Sequence, residues 1–252
     1  LFFETDDFAI RITGNELSPQ YQFWKPDNSI NASYNITMYI VKFIRIFECI
    51  DYDGDGIYNK SVEEPIDATN DPLSTVEWEF SEIITDADGG IHFDITSVGL
   101  DYTLQFSNHF NPEDTSLKFD VIIKDYVFET ESDNALLVVG FHLVSTEKAL
   151  VRSTNQFRFG EYAFFDTVPS ADVGGGAVPV GLSHDIKSDN IVAYLSYPKF
   201  EGDLIHDPVI GLADTPIELN GFGSEDEEEN TSTIPGYKEF WFGTSAFLAI
   251  AF

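Results

Sequence analysis

The sequence has a single cysteine, Cys49, in 252 residues, so no intrachain disulfide can form and the chain is not a disulfide-stapled scaffold. Cys49 lies in an apolar run and reads as a small buried residue on a strand. Basic residues are scarce too. Thirteen Lys and Arg against 44 Asp and Glu leave a formal charge of −31, which repels phosphate backbones and anionic lipid surfaces and argues against nucleic acid as a partner. Such acidity serves solubility or high salt, or a surface neutralised by divalent cations; composition leaves both open. No stretch shows the apolar period of an amphipathic helix.

Recognisable catalytic constellations are lacking as well. Ser183, His184 and Asp185 are adjacent, and neighbours on an extended chain point to opposite faces, so they do not form a triad by themselves. The Gly174-Gly175-Gly176 run has no lysine of a phosphate loop and reads as a flexible turn. His142, inside an apolar run, reads as a core residue. We therefore read the chain as a non-enzyme.

Aromatic residues are plentiful. Hydrophobic residues make up 43% of the chain, including 23 Phe, 11 Tyr and 3 Trp, which excludes a disordered polymer. Period-two alternation recurs at Phe8, Ile10 and Ile12; at Val76, Trp78 and Phe80; at Ile91, Phe93 and Ile95; and at Leu117, Phe119, Val121 and Ile123. The turn Asp86-Ala87-Asp88-Gly89-Gly90 suggests a hairpin between the second and third of these. Residues 38–50 and 135–144 are apolar on both parities, as strands covered on both faces would be. In the first, Lys42, Arg45 and Glu48 recur at spacing three, which suggests a helix; the β-branched content and missing cap favour a strand.

Further strands are expected at Phe157–Phe165, Val178–Leu182 and Ile191–Tyr197, with Gly202–Gly211 as an ordered loop or edge. The expected fold is all-β: an antiparallel β-sandwich of about ten to twelve strands over residues 1–222. A subdomain break near 146–155 is an open alternative.

The sharpest chemical signal follows the first doubly apolar run. Asp51-Tyr52-Asp53-Gly54-Asp55-Gly56-Ile57-Tyr58-Asn59 continues to Glu63 and Glu64, placing five carboxylates in the fourteen residues 51–64. Hard cations such as calcium take six to eight oxygens, and acids two residues apart with a glycine turn supply them from a short loop. The Asp-x-Asp-x-Asp-Gly pattern resembles an EF-hand calcium loop, which implies ligands from Asp51, Asp53 and Asp55, the Ile57 carbonyl and Asn59. The twelfth position is Val62, so the closing carboxylate falls to Glu63 or Glu64. Strand-like flanks limit the resemblance to the loop.

Sequons at Asn31, Asn35, Asn59 and Asn230 mark candidate glycosylation sites and tilt the reading toward an extracellular or cell-surface protein. Residues 223–235 form an acidic linker without apolar residues until Ile234, and 236–252 a hydrophobic tail whose last thirteen residues are uncharged. Acidic linker, Ile234-Pro235-Gly236-Tyr237 step and apolar tail resemble the ending of archaeal cell-surface proteins, which implies a membrane anchor. A spanning helix needs about twenty apolar residues, so the tail would be its first part. Alternatively, Phe240, Phe242, Ala246, Leu248, Ile250 and Phe252 share the face of a strand that could be donated to a neighbouring subunit.

The expected function is a calcium-stabilised envelope, adhesion or filament-assembly subunit whose partners are copies of itself or other envelope proteins. A carbohydrate-binding module that takes glycans is the alternative, and a glycoside hydrolase the third.

Overall fold

A computed structural model describes residues 1–14, 18–26, 37–145, 150–187 and 190–216. Asn31, Asn35, Asn230, the linker 223–235 and the tail 236–252 lie outside these residues. Two antiparallel sheets account for nearly all regular structure. Among the described residues no helix is long and apolar enough to cross a membrane.

The first sheet runs β1 (Phe2–Glu4), β2 (Ala9–Thr13), β3 (Gln20–Trp24), β4 (Tyr39–Ile50), β11 (Ala135–Ser145), β18 (Asn190–Pro198) and β17 (Gly181–Lys187). The short β5 (Asp71–Pro72) pairs with the second half of β4. The second sheet is built on β10 (Ser116–Lys124). One edge of β10 pairs with β9 (Thr103–Phe110), which continues to β8 (Ile91–Val98), β6 (Glu77–Phe80) and β7 (Ile84–Thr85). The other edge takes β20 (Val209–Leu212) and β19 (Leu204–His206). From β20 the sheet continues to β14 (Ala163–Asp166), β13 (Gln156–Phe159) and β12 (Leu150–Ser153), and from β19 to β15 (Ser170–Val173) and β16 (Gly176–Pro179).

Inward side chains of both sheets form one buried core, as alternating strands in a sandwich require. Aromatic rings bridge the layers: Tyr21 stacks on Phe119 with centroids 5.1 Å apart, Phe43 meets Phe106 at 4.4 Å and Phe141 meets Phe165 at 4.6 Å. The buried Tyr21 hydroxyl donates across the layers to Asn108 Oδ1 at 3.0 Å. Strands from both sides of residues 146–155 enter the same sheets: β11 pairs with β18, and β10 with β19 and β20.

The expected all-β sandwich is present, with three differences of detail. Among the described residues twenty strands replace ten to twelve, because many are only two to four residues long, too short for a period-two signal. Gly202–Gly211 is not a loop or edge: β19 and β20 lie inside the second sheet, separated by Asp207-Pro208 where the chain passes from one partner to the next. Phe157–Phe165 is a hairpin of β13 and β14, turned at Gly160 with φ 64°.

The spacing of Lys42, Arg45 and Glu48 also has a β explanation. Register between β4 and β11 shifts beside Gly140, where Arg45 faces Gly140 but Phe43 faces Phe141, leaving Ile44 as the extra residue of a bulge. Tyr39, Val41 and Phe43 point inward before the bulge; Ile46 and Glu48 do so after it. Arg45, Phe47 and Cys49 are thereby turned to the outer face. The change of parity puts Lys42 and Arg45, three residues apart, on the same outer face, whereas Glu48 falls on the inner one.

Candidate metal centre

The outer face of the first sheet carries a second apolar cluster. Phe47 and Cys49 of β4, Leu136 and Val138 of β11, and Val192 and Tyr194 of β18 are buried there around Tyr58, which comes from the acidic loop. The Tyr58 ring meets Phe47 edge-on at 5.1 Å and Tyr194 at 4.8 Å. Burying a ring of this size contributes roughly 1.5–3 kcal/mol. This is why β4 and β11 are apolar on both parities: their outer face is roofed by the chain that follows β4.

The roof is built from its own carboxylates. Asp51 accepts the Gly54 amide on Oδ1 at 2.6 Å and the Gly56 amide on Oδ2 at 2.8 Å. Gly54 and Gly56 have φ of 78° and 76°, a left-handed backbone that glycine adopts without steric cost. Asp55 Oδ1 accepts the Ile57 amide at 2.7 Å, and Asn59 Oδ1 accepts that of Ser61 at 3.0 Å. The Asn59 carbonyl then accepts the amides of Val62 and Glu63, a tight turn that brings the Glu63 side chain back into the loop. Glu63 is fully buried and accepts the Asn59 amide on Oε2 at 2.8 Å and the Tyr52 amide on Oε1 at 3.3 Å.

Strands β17 and β18 seat the loop. The Tyr58 amide donates to Ser196 Oγ at 3.0 Å, Ser183 Oγ donates to the Tyr58 carbonyl at 2.6 Å, and Lys60 Nζ pairs with Asp185 at 2.5 Å. Gly181 leaves room for the backbone of Gly56 and Ile57: a Cβ there would lie 2.4 Å from the Gly56 carbonyl oxygen. Ser183 and Asp185 thus serve the loop, whereas His184 points to the opposite side of β17 and meets the Phe157 ring at 5.6 Å.

Within this frame, ligand atoms of Asp51, Asp53 and Glu63 lie within 4.8 Å of one another, a cluster that could hold a metal ion. Asp51 and Glu63 are buried and Asp53 is exposed. Asp55 and Glu64 are exposed and stand outside this cluster, and Asn59 is exposed. The exposed Asn59 also carries the only sequon among the described residues.

No protein-family model matches this chain, and none of the curated proteins does. The chemistry of the cluster must therefore come from its own atoms.

Burial raises the Asp51 carboxyl, but the amides of Gly56 and Gly54 and the contact with Asp53 outweigh it and hold the group below the ordinary range. Glu63 is pushed up, first by burial and then by the charges of Asp51 and Asp53, with the Asn59 and Tyr52 amides opposing. Asp53 is pushed up as well, by desolvation, by the Asp55 charge and by its contact with Asp51. Two of the three acids resist ionisation, through desolvation first and through neighbouring carboxylate charge in addition. A cation among them would remove that conflict. All donors are hard oxygens, and each Asp51 or Glu63 oxygen that accepts one amide keeps a second lone pair for a ligand bond. The residues present fit a hard divalent cation.

Three functional details escaped the sequence reading. The seat formed by Gly181, Ser183 and Ser196 carries no local signal, because these residues acquire their role only when β17 and β18 pair. Glu48, fully buried, accepts the amides of Glu129 at 2.8 Å and Thr130 at 3.0 Å and the Tyr126 hydroxyl at 3.1 Å, tying down the segment after β10. The bulge that turns it inward is invisible to a period-two count. His92 and His109 are paired across β8 and β9, although seventeen residues apart.

Proposed function

We propose that this protein is a calcium-stabilised structural subunit of an extracellular or cell-surface assembly. The observation that carries this reading is the position of the Asp51–Asp53–Glu63 cluster. It lies inside a loop that closes over a face of the sandwich and delivers Tyr58 to an apolar seat, rather than at the floor of a cleft. A cation there ties the end of β4 to the turn at Glu63, which is a clamp and not a reaction centre.

Calcium supplies one thing when bound, positive charge shared among hard oxygens. Asp51 and Glu63 orient the loop amides, Asp53 closes the cluster from the solvent side, and Ser183 and Ser196 fix the loop on the sheet. Binding to the folded chain alone adds about 2.7 kcal/mol of stability when free calcium is a hundred times Kd. The charge of −31 supports the same reading, since a surface of this density assembles only where cations screen or bridge it. Copies of the chain are the proposed partners.

Electron microscopy of the purified full chain with calcium and with chelator tests the proposal. Filaments or sheets that dissolve in chelator are the expected result. Monomers under both conditions, with glycan binding on an array, would overturn it in favour of a carbohydrate-binding module.

A further inference from the structure

Opposite the acidic loop, on the outer face of the second sheet, two imidazoles face each other. His92 of β8 and His109 of β9 are direct cross-strand partners, so their side chains emerge on the same face. Their Nδ1 atoms lie 2.7 Å apart, with ring centroids at 4.9 Å and planes 71° apart. Each ring is held from its far side by a carboxylate. His92 Nε2 contacts Asp86 Oδ2, and His109 Nε2 donates to Asp120 Oδ2 at 3.1 Å.

These partners fix the protons. Ionised carboxylates only accept, so each Nε2 carries the hydrogen, and each Nδ1 is left with a lone pair aimed at the other. Two such lone pairs at 2.7 Å repel unless a cation lies between them. Histidines that ligate transition metals have this form, with one nitrogen free for the metal and the other N–H donated to a carboxylate that orients the ring.

We propose that His92 and His109 bind a divalent transition-metal ion through their two Nδ1 atoms. Imidazole nitrogens suit zinc, copper and nickel. With metal–nitrogen bonds of about 2.0–2.1 Å, two ligands at right angles lie about 2.9 Å apart and tetrahedral ones about 3.4 Å. From 2.7 Å the rings need to open by about 0.2 Å for the first geometry and about 0.7 Å for the second. Their side chains are 36% and 34% exposed, so both the rotation and completion of the shell by water are available.

The surrounding charge favours a cation. Asp86 comes from the β7–β8 turn, Asp94 shares the outward face of β8, and Asp120 lies on β10. Lys118 faces His109 from β10 and is drawn to Asp120 at 3.4 Å and Asp207 at 3.3 Å. Nitrogen donors distinguish this site from the all-oxygen cluster, and it does not depend on the reading of that loop.

Calorimetric titration of untagged protein with nickel, copper or zinc chloride, in excess calcium to occupy hard-oxygen sites, tests the site. The expected result is binding that His92→Ala and His109→Ala each weaken at least tenfold. Asp120→Asn should weaken it by roughly ten- to a hundredfold, the usual effect of losing a carboxylate behind a metal-bound histidine. Circular dichroism of each variant checks folding, and His109→Gln replaces His109→Ala should the latter unfold. Absence of binding at millimolar metal, or equal binding by the histidine variants, would overturn the proposal and leave the pair holding only a proton.

Discussion

Replacing Gly181 by alanine perturbs the loop without touching any of its carboxylates. A Cβ at this position would lie 2.4 Å from the Gly56 carbonyl oxygen, 3.0 Å from Ile57 Cα and 3.1 Å from Ile57 Cγ1. Ordinary contacts of this kind are 3.4–4 Å, so the loop must retreat from β17 by about 1 Å at Gly56. The nearest atoms are backbone, which cannot swing aside as a side-chain tip would. Overpacking of this kind costs roughly 1–3 kcal/mol.

At about 2–4 °C per kcal/mol for a chain of this size, the cost predicts a Tm lowered by roughly 2–12 °C. Because Gly56 also donates its amide to Asp51, the retreat loosens the metal cluster, and calcium affinity should fall by about tenfold for each 1.4 kcal/mol carried into the site. Gly176→Ala is the control. Its Cβ would meet nothing closer than the Val173 carbonyl at 3.5 Å, so stability and affinity should be unchanged. Thermal melts and calcium titration of both variants give the answer. A Gly181→Ala protein with native Tm and native affinity would refute the seating of the loop on β17.

Two further perturbations follow from buried polar groups. Glu48→Gln replaces one of the two accepting oxygens by an NH2, which then faces either the Thr130 amide or the Glu129 amide and Tyr126 hydroxyl, and should destabilise by roughly 2–3 kcal/mol in urea unfolding; an unchanged midpoint would contradict the anchoring role. His206 is fully buried beside Tyr197 and Thr167, and burial pushes its pKa down to about 4. Its folded pKa lies below the unfolded value near 6.5, so the unfolded chain binds the extra proton first and stability is lost as pH falls through this window. The loss approaches roughly 3 kcal/mol near pH 4. The stability gap between wild type and His206→Gln should therefore narrow between pH 7 and pH 4, and a constant gap would contradict it.

Much of this architecture was legible because burial writes itself into composition. The doubly apolar runs at 38–50 and 135–144 announced strands covered on both faces, and β4 and β11 are the two central neighbours of the first sheet. What covers their outer face was not legible, since Tyr58 looks like any loop tyrosine until Phe47 and Tyr194 are brought to it by pairing. The acidic loop declared its chemistry through the spacing of Asp51, Asp53 and Asp55, but spacing treats all three alike. In the folded loop the Asp55 carboxylate accepts the Ile57 amide, and the Asn59 turn, rather than the count of twelve, brings Glu63 to Asp51 and Asp53. The His92–His109 pair was hidden for a different reason. Its spacing reflects the length of a hairpin and has no fixed value along a chain.

The most direct test of the clamp is calorimetric calcium titration of the wild-type chain beside Asp53→Ala, Glu63→Gln and Glu64→Gln. Glu63 and Asp53 belong to the cluster and Glu64 is exposed outside it. The wild type and Glu64→Gln should bind calcium alike, with a matching rise in Tm, while Asp53→Ala and Glu63→Gln should lose both the binding heat and the rise. Binding that survives Glu63→Gln, or that Glu64→Gln abolishes, would contradict the account.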